Sequence, residues 1–166
     1  MLNSTQAAHA VAKSWDGGAG SLEWNADNNW NPDGIPESTD DVTIDNVAVT
    51  ATTTNINFST LTIGSGTNVT SLTLTIDIGT GGDITINNNG TLTQNNKALQ
   101  TISGTFTINS GGTLNHTANT TANTYNVNFS SATLTLNSGG NIDVSSKGYS
   151  AGNGTGLATC SSRSGG

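Results

Sequence analysis

The 166-residue chain has very few charged residues, and its shortages exclude several classes of protein. Charged residues make up 9% of the sequence, against about 25% in ordinary globular domains. Four lysines and arginines are too few to neutralise a nucleic-acid backbone or to bind an anionic lipid surface. No apolar run approaches the ~20 residues of a transmembrane helix. The single cysteine, Cys160, has no partner for an internal disulfide, so we interpret it as an incidental thiol, with an intermolecular bridge in a fibre as the alternative.

Uncharged polar residues take the place of the missing charges. The chain contains 29 threonines and 23 asparagines, side chains that can hydrogen-bond to each other in a stack of strands where like charges ~4.8 Å apart would repel. Such a composition is also typical of disorder, but regular apolar spacing over 42–144 argues against disorder there. The net charge of −7 is concentrated near the N-terminus, because eight of the eleven acids fall in 16–45. These acids are Asp16, Glu23, Asp27, Asp33, Glu37, Asp40, Asp41 and Asp45.

One nine-residue phrase occurs four times. It reads apolar–Thr–apolar, then a polar turn of Asn, Ser and Gly, then a further apolar residue. The copies begin at Leu61, Ile84, Phe106 and Leu134, with spacings of 23, 22 and 28 residues (84−61, 106−84, 134−106). A repeat of this length is typical of a solenoid, in which each unit buries its apolar face only by stacking on a neighbour.

The phrase has the alternation of a β-strand, with apolar residues pointing inward and threonines pointing outward. We therefore expect a ladder of the threonines that share one phrase position: Thr62, Thr85, Thr107 and Thr135. Further short strands are predicted at 42–44, 56–58, 72–76, 127–129 and 142–144. The sequence predicts an all-β chain folded as a right-handed parallel β-helix (β-solenoid), and the alternative is an antiparallel β-sandwich.

Segment 15–45 differs from the repeats because it holds all three tryptophans: Trp15, Trp24 and Trp30. Three large rings could cover the open end of the apolar core, with each indole N–H bound to a backbone carbonyl. We therefore predict a structural N-terminal cap, and the alternative is sugar stacking on exposed tryptophans. The segment contains Trp15-Asp-Gly-Gly, then Asn29-Trp30-Asn-Pro, and then the paired acids Asp40-Asp41 before the first strand.

This order of motifs resembles the start of bacterial secreted parallel β-helix proteins, including autotransporter-passenger-like and adhesin-like surface proteins. The resemblance covers 15–45 closely and the repeats more loosely. It implies an extracellular or cell-surface location and a role as an adhesin, stalk or fibre. It is a poor indicator of enzymatic activity, since some members carry enzymes elsewhere in a longer chain.

The predicted organisation has four parts. Residues 1–14 form an extended arm or the remnant of a secretory signal, because Ala8-His-Ala10 resembles the small-residue end of such a signal. Residues 15–45 form the cap, and 46–147 form the solenoid repeats. Residues 148–166 form a Gly/Ser-rich tail or the start of further sequence.

Few residues suggest chemistry. Asp40, Asp41 and Asp45 are a weak calcium candidate, with a solvated acidic loop as the alternative, and no other cofactor is expected. Asp77 and Asp83 lie six residues apart across a predicted Gly-rich turn, a conceivable glycosidase pair.

Neither histidine suggests a reactive centre. His9 and His116 have no partner set for zinc binding or for nucleophilic catalysis.

The composition and the repeats together predict a non-catalytic structural or adhesive module. The alternatives are a carbohydrate-active β-helix enzyme or a sugar-binding module, and more remotely an ice-binding solenoid. Ice-binding solenoids present regular outward threonine rows, but only 72–76 is expected to offer two outward threonines in one strand. The expected partners are further solenoid coils or other copies of the chain in head-to-tail contact, with residues 1–13 as a donated strand, and surface glycans.

Overall fold

A computed structural model describes residues 10–154, so His9, Cys160 and the outer parts of the predicted arm and tail lie outside the described residues. Within 10–154 the fold is all-β, and the only helical segment is a 3₁₀ turn at Asp27–Asn29. None of the described segments is a helix of the length and apolarity needed to cross a membrane.

Most strands belong to two sheets. The large sheet has seven strands: β1 (Ala12–Trp15), β2 (Trp30–Asn31), β3 (Asp41–Ile44), β5 (Ile56–Ile63), β7 (Ile78–Ile86), β10 (Thr105–Ile108) and β13 (Thr133–Leu136). The small sheet has five: β4 (Ala48–Ala51), β6 (Thr70–Leu74), β8 (Gly90–Gln94), β11 (Thr113–His116) and β14 (Asn141–Asp143). Two short strands, β9 (Gln100–Thr101) and β12 (Phe129–Ser130), pair with each other.

The strands of both sheets pair in parallel, with the exception of β1 and β2. The strand order is β13-β10-β7-β5-β3-β1-β2 in the large sheet and β14-β11-β8-β6-β4 in the small one. From β3 onward the chain alternates between the two sheets, apart from the short strands β9 and β12, and neither sheet closes on itself. The antiparallel sandwich considered as an alternative is wrong, because a sandwich built from hairpins would pair its strands in antiparallel.

The four phrases lie in matching register. Leu61 pairs with Ile84, Ile84 with Phe106, and Phe106 with Leu134. We call one strand of the large sheet, the corner after it and the next strand of the small sheet a repeat unit. Residues 10–154 contain five such units: β3–β4, β5–β6, β7–β8, β10–β11 and β13–β14.

The apolar core lies between the two sheets. Ile63 and Ile84 of the large sheet are fully buried in one cluster with Leu72 and Leu92 of the small sheet. Burial alternates along these strands, because every second side chain points between the sheets. The period-two pattern read from the sequence thus determines which face of each strand is apolar.

Two local features differ from the sequence-based expectations. Val69, the closing apolar residue of the first phrase, is exposed, and Leu72 occupies the buried position opposite Leu92. The corner of this phrase therefore contains three more residues than the corners of the other three phrases: Ile63 to Leu72 spans nine positions, whereas Ile86 to Leu92 spans six.

One strand also crosses the predicted boundary between arm and cap. Residues 12–15 were divided between the two, but they form β1, which pairs with β3 in the large sheet. Lys13 on this strand is buried, and its Nζ donates to the carbonyl oxygens of Pro32, Asp33 and Gly34 at 2.8–3.0 Å. Three acceptors satisfy the ammonium group, so Lys13 ties β1 to the loop after β2.

Candidate functional site

The corners between the two sheets carry a ladder of asparagine side chains. Asn137 Nδ2 donates to Asn109 Oδ1 at 2.7 Å, and Asn109 Nδ2 donates to Asn87 Oδ1 at 2.8 Å. Asn87 Nδ2 donates to the Gly64 carbonyl at 2.8 Å and ends the ladder. Every donor points toward the N-terminal units, so the ladder has a direction and Asn137 Oδ1 is its terminal acceptor.

The backbone repeats the same direction. The N–H groups of Asn87, Asn109 and Asn137 donate to the carbonyls of Ile63, Ile86 and Ile108 in the preceding unit, at 2.8–3.0 Å. Each of these three corners thus stacks on the one before it through a main-chain bond and a side-chain bond made by the same asparagine.

Glycines let the corners approach closely. A Cβ at Gly112 would lie 2.6 Å from the Ile86 carbonyl oxygen, and a Cβ at Gly140 would lie 2.6 Å from that of Ile108. Gly90 faces the Ile63 carbonyl in the same way. Real side chains do not tolerate such contacts with backbone oxygen, so the stacking distance requires glycine at these three positions.

The predicted threonine positions also lie in register. Thr62 pairs with Thr85, Thr85 with Thr107, and Thr107 with Thr135, all half-buried on the outer side of the large sheet. Thr43 extends the row by pairing with Thr62.

A second outer row runs beside the first. It consists of Asp41, Thr60, Asp83, Thr105 and Thr133. The expectation that only 72–76 carries two outward threonines is therefore wrong: β5, β10 and β13 each do, while Thr75 lies beyond β6 and donates its hydroxyl to the Ala51 carbonyl.

Polar side chains are buried at another corner, which the sequence analysis missed. Gln94 and Gln100 are fully buried. Gln100 Oε1 accepts the Ile78 N–H at 2.8 Å, and its Nε2 donates to Asp77 at 3.0 Å. Gln94 Oε1 accepts the Asn128 N–H at 2.8 Å. The two glutamines therefore link three successive passes of the chain, and their isolated positions in the sequence carry no repeat signal.

The tryptophans form one cluster. Trp24 and Trp30 are completely buried with ring centroids 4.7 Å apart, and the half-buried Trp15 lies 5.1 Å from Trp30. Trp30 Nε1 donates to the Trp24 carbonyl at 2.8 Å, as expected for a buried indole. Trp24 Nε1 is buried without a partner, so the expectation that each indole binds a carbonyl is wrong for Trp24.

The N-terminal edges of both sheets are covered. In the large sheet, β1 pairs on one side with β3 and on the other with the two-residue β2. In the small sheet, Trp24 N–H donates to the Thr50 carbonyl at 2.9 Å, and Thr50 N–H donates to the Leu22 carbonyl at 2.8 Å. The segment around the tryptophans therefore pairs with backbone groups of β4 that would otherwise be free.

The C-terminal edges are open within the described residues. β13 and β14 are the last strands of their sheets. Their inward side chains are exposed: Leu134 by 55%, Leu136 by 51% and Ile142 by 37%. The residues at the same phrase positions of the preceding unit are buried: Phe106, Ile108 and Leu114. An apolar cavity of about 420 Å³ opens here, lined by Phe106, Leu114, Val127, Phe129, Ser130, Ser131, Leu134 and Ile142.

A second cavity of about 440 Å³ lies beside the tryptophan cluster. Its lining includes Trp15, Leu22, Val47, Asp16 and Asp45, so it combines an aromatic ring and apolar side chains with two carboxylates.

The three aspartates of the calcium candidate each accept hydrogen bonds from neighbouring groups. The buried Asp40 accepts the N–H groups of Val11 and Glu37 at 3.1 and 2.9 Å, and Asp41 accepts the Thr60 hydroxyl at 2.8 Å. Within 10–154, no group of three or more His, Cys, Asp or Glu side chains is arranged to hold a metal ion.

Two carboxyl groups are held ionised. Hydrogen bonds from Ser65, Thr70 and Asn46 lower the pKa of Asp45 below its usual value. Hydrogen bonds from Ser145 lower the pKa of Asp143 in the same direction. In both cases N–H or O–H donors favour the charged form.

Asp77 and Asp83 are not joined by a turn. The intervening residues belong to β7, which corrects the predicted Gly-rich turn. Asp77 accepts from Gln100, whereas Asp83 accepts the Thr105 N–H at 2.6 Å, so the two carboxylates bind different segments. His116 is buried, with Nδ1 2.8 Å from the Thr117 carbonyl oxygen.

Comparison of the chain with protein-family models, with curated proteins and with solved structures gave no match.

Proposed function

We propose that the chain is a non-catalytic structural or adhesive module of a secreted bacterial surface protein or extracellular fibre. In this proposal the two parallel sheets are the faces of a right-handed parallel β-solenoid, and segment 15–45 is its N-terminal cap. The handedness follows from the strong preference of parallel crossover connections for the right-handed form.

The observation that carries the proposal is the use of the repeated side chains. Leucine and isoleucine fill the core, asparagine bonds to the asparagine of the next unit, and glycine allows the close approach of the corners. Each recurring residue thus holds one unit on another. A sequence that repeats for stacking specifies a stiff, extendable body.

The closed N-terminal edges and the open C-terminal edges support a role as part of a longer assembly. A terminal unit with a buried polar and aromatic cover is what a solenoid needs at a free end. At the other end, exposed leucines and strand edges that no described residue pairs offer a surface for further strands.

Force spectroscopy tests the proposal. A chain pulled from its two ends should unravel unit by unit, with contour increments of roughly 80–100 Å, because units of 22, 23 and 28 residues extend by ~3.6 Å per residue. A single-step unfolding of all units would contradict the solenoid. The same protein should release no products from acidic polysaccharides with or without calcium, and turnover lost in Asp77→Asn or Asp83→Asn would contradict the non-catalytic role.

One observation favours a second candidate, the binding of ice. On the outer side of the large sheet, β5, β10 and β13 present two threonines each, about 6.7 Å apart along the strand, and β7, which lies between β5 and β10, presents Thr85 and Asp83. A regular array of methyl and hydroxyl groups can order water. This candidate predicts inhibition of ice recrystallisation that Thr107→Lys abolishes and that Thr121→Lys, at an exposed position outside the sheets, leaves intact.

A further inference from the structure

We infer that the C-terminal end binds a strand–corner–strand segment carrying the chain's own phrase, donated by another polypeptide as one more parallel repeat unit. This inference rests on the proposed function and names the partner of its open end. The donated segment has the sequence pattern apolar–Thr–apolar–Asn–x–Gly–Gly–Thr–apolar.

The backbone of the last unit requires a parallel strand. The Leu136 carbonyl occupies the place of the Ile63, Ile86 and Ile108 carbonyls, each of which accepts an N–H from the asparagine of the following unit. At the same corner, Gly111 N–H donates to the Gly139 carbonyl at 2.8 Å. Gly139 N–H would donate in the same way to the glycine of an added unit.

The direction of the asparagine ladder favours asparagine at the matching position of the added unit. Asn137 Oδ1 is an acceptor at the end of a chain of amides whose donors all point toward the N-terminus. An added asparagine would supply the matching Nδ2 donor. An antiparallel contact between two C-terminal ends would instead bring two terminal acceptors together.

The limited space beside the Leu136 carbonyl favours glycine at the corner of the added unit. In the last three corners, Gly90, Gly112 and Gly140 lie over an isoleucine carbonyl oxygen, with room for a hydrogen but not for a Cβ. The Leu136 carbonyl imposes the same limit on an added unit, so alanine at this position would clash. The exposed Leu134, Leu136 and Ile142 and the adjoining cavity of about 420 Å³ would receive the apolar side chains.

A folded second copy does not offer this segment. Its phrases already pair on both sides or lie at its own C-terminal end, and its N-terminal edges are covered by β2 and by residues 22–24. The donor is therefore a chain whose phrase is not yet stacked. This differs from the head-to-tail contact of folded copies that the sequence suggested.

A peptide of residues 105–116, labelled at its N-terminus, tests the inference when titrated into the full chain and followed by fluorescence anisotropy. We expect saturable binding that a Gly112→Ala peptide weakens by roughly tenfold or more, because overpacking against a fixed carbonyl is costly. A peptide of the reversed sequence should not bind. Leu134→Asp in the chain should abolish binding, whereas Leu22→Asp, at an equally exposed leucine of the N-terminal segment, should not.

Three results would overturn the inference: no saturable binding, equal binding of the Gly112→Ala peptide, or a dimer of the chain in light scattering that excess peptide does not dissociate. Unit-by-unit unravelling under force, measured on the same preparation, separates the two proposals. If unravelling persists without peptide binding, only the donated unit is wrong. If unravelling is lost, the solenoid proposal fails as well.

Discussion

Replacing Trp30 by alanine is the sharpest test of the tryptophan cluster. Trp30 is fully buried, its ring contacts Trp15 and Trp24, and its indole N–H donates to the Trp24 carbonyl. Truncation of a buried tryptophan costs about 3–5 kcal/mol, and the lost ring contacts and hydrogen bond place Trp30→Ala in the upper half of that range. Since m is about 2 kcal/mol/M in urea, the unfolding midpoint should fall by roughly 2 M.

Urea unfolding followed by both circular dichroism and fluorescence measures this change. Trp30→Phe keeps an aromatic ring but leaves the Trp24 carbonyl unpaired, so it should cost about 1–3 kcal/mol. Leu22→Ala, at a position 54% exposed, should change little and serves as the control. If Trp30→Ala lowers the free energy of unfolding by less than about 1 kcal/mol, the tryptophan cluster is not part of the cooperative core. The same conclusion follows if the fluorescence of the parent protein changes at a clearly lower urea concentration than its circular dichroism.

Three further predictions concern the corners. Gly112→Ala should destabilise the chain by about 1–3 kcal/mol because its Cβ would meet the Ile86 carbonyl, whereas Gly148→Ala, with open space around it, should be near neutral in thermal unfolding. Asp45→Asn should make the stability of the chain depend less on pH in acid. The lowered pKa of Asp45 stabilises the fold above the ordinary value of 3.8, and this stabilisation is lost as pH falls through the pKa of the folded state. If Asp45→Asn leaves the change in urea midpoint between about pH 5 and pH 2 the same as in the parent protein, the assignment is contradicted. Gln100→Leu should cost about 1–3 kcal/mol by leaving a buried N–H without an acceptor, and rapid hydrogen exchange at that amide should accompany the loss.

The sequence was sufficient to predict strand type, repeat phase and the stacked threonine positions. Those features depend on a period of two and on copies that align residue by residue, so they survive small errors in strand boundaries. Parallel pairing followed from the same repeat, since identical corners can stack directly only when the strands run in one direction.

The sequence was insufficient to predict the burial of residues whose contacts are not part of the repeat. Gln100 is buried where it accepts the Ile78 N–H, and Gln94 is buried where it accepts the Asn128 N–H. Nothing in their local sequence pattern distinguishes them from surface glutamines. Lys13 fell within the predicted arm, residues 1–14, and its burial was not predicted. Three carbonyls of a distant loop determine its burial, and only the folded chain brings them together.

The scarcity of charge has a structural reason that the outer row of the large sheet makes visible. In a parallel stack each side chain lies ~4.8 Å from the side chain at the same position of the next unit, so a residue must be compatible with its neighbour in the row. Threonine and asparagine satisfy this condition, whereas two adjacent carboxylates repel by about 1 kcal/mol even in water.

The row that begins at Asp41 contains a second acid, Asp83, but Thr60 lies between them. Thr60 donates its hydroxyl to Asp41, and Thr105, on the other side, donates its N–H to Asp83. Acids in this row therefore occupy alternate strands, each beside a donor. Neighbouring acids in a row would repel each other, so an uncharged threonine between them fits the stack better than a further carboxylate.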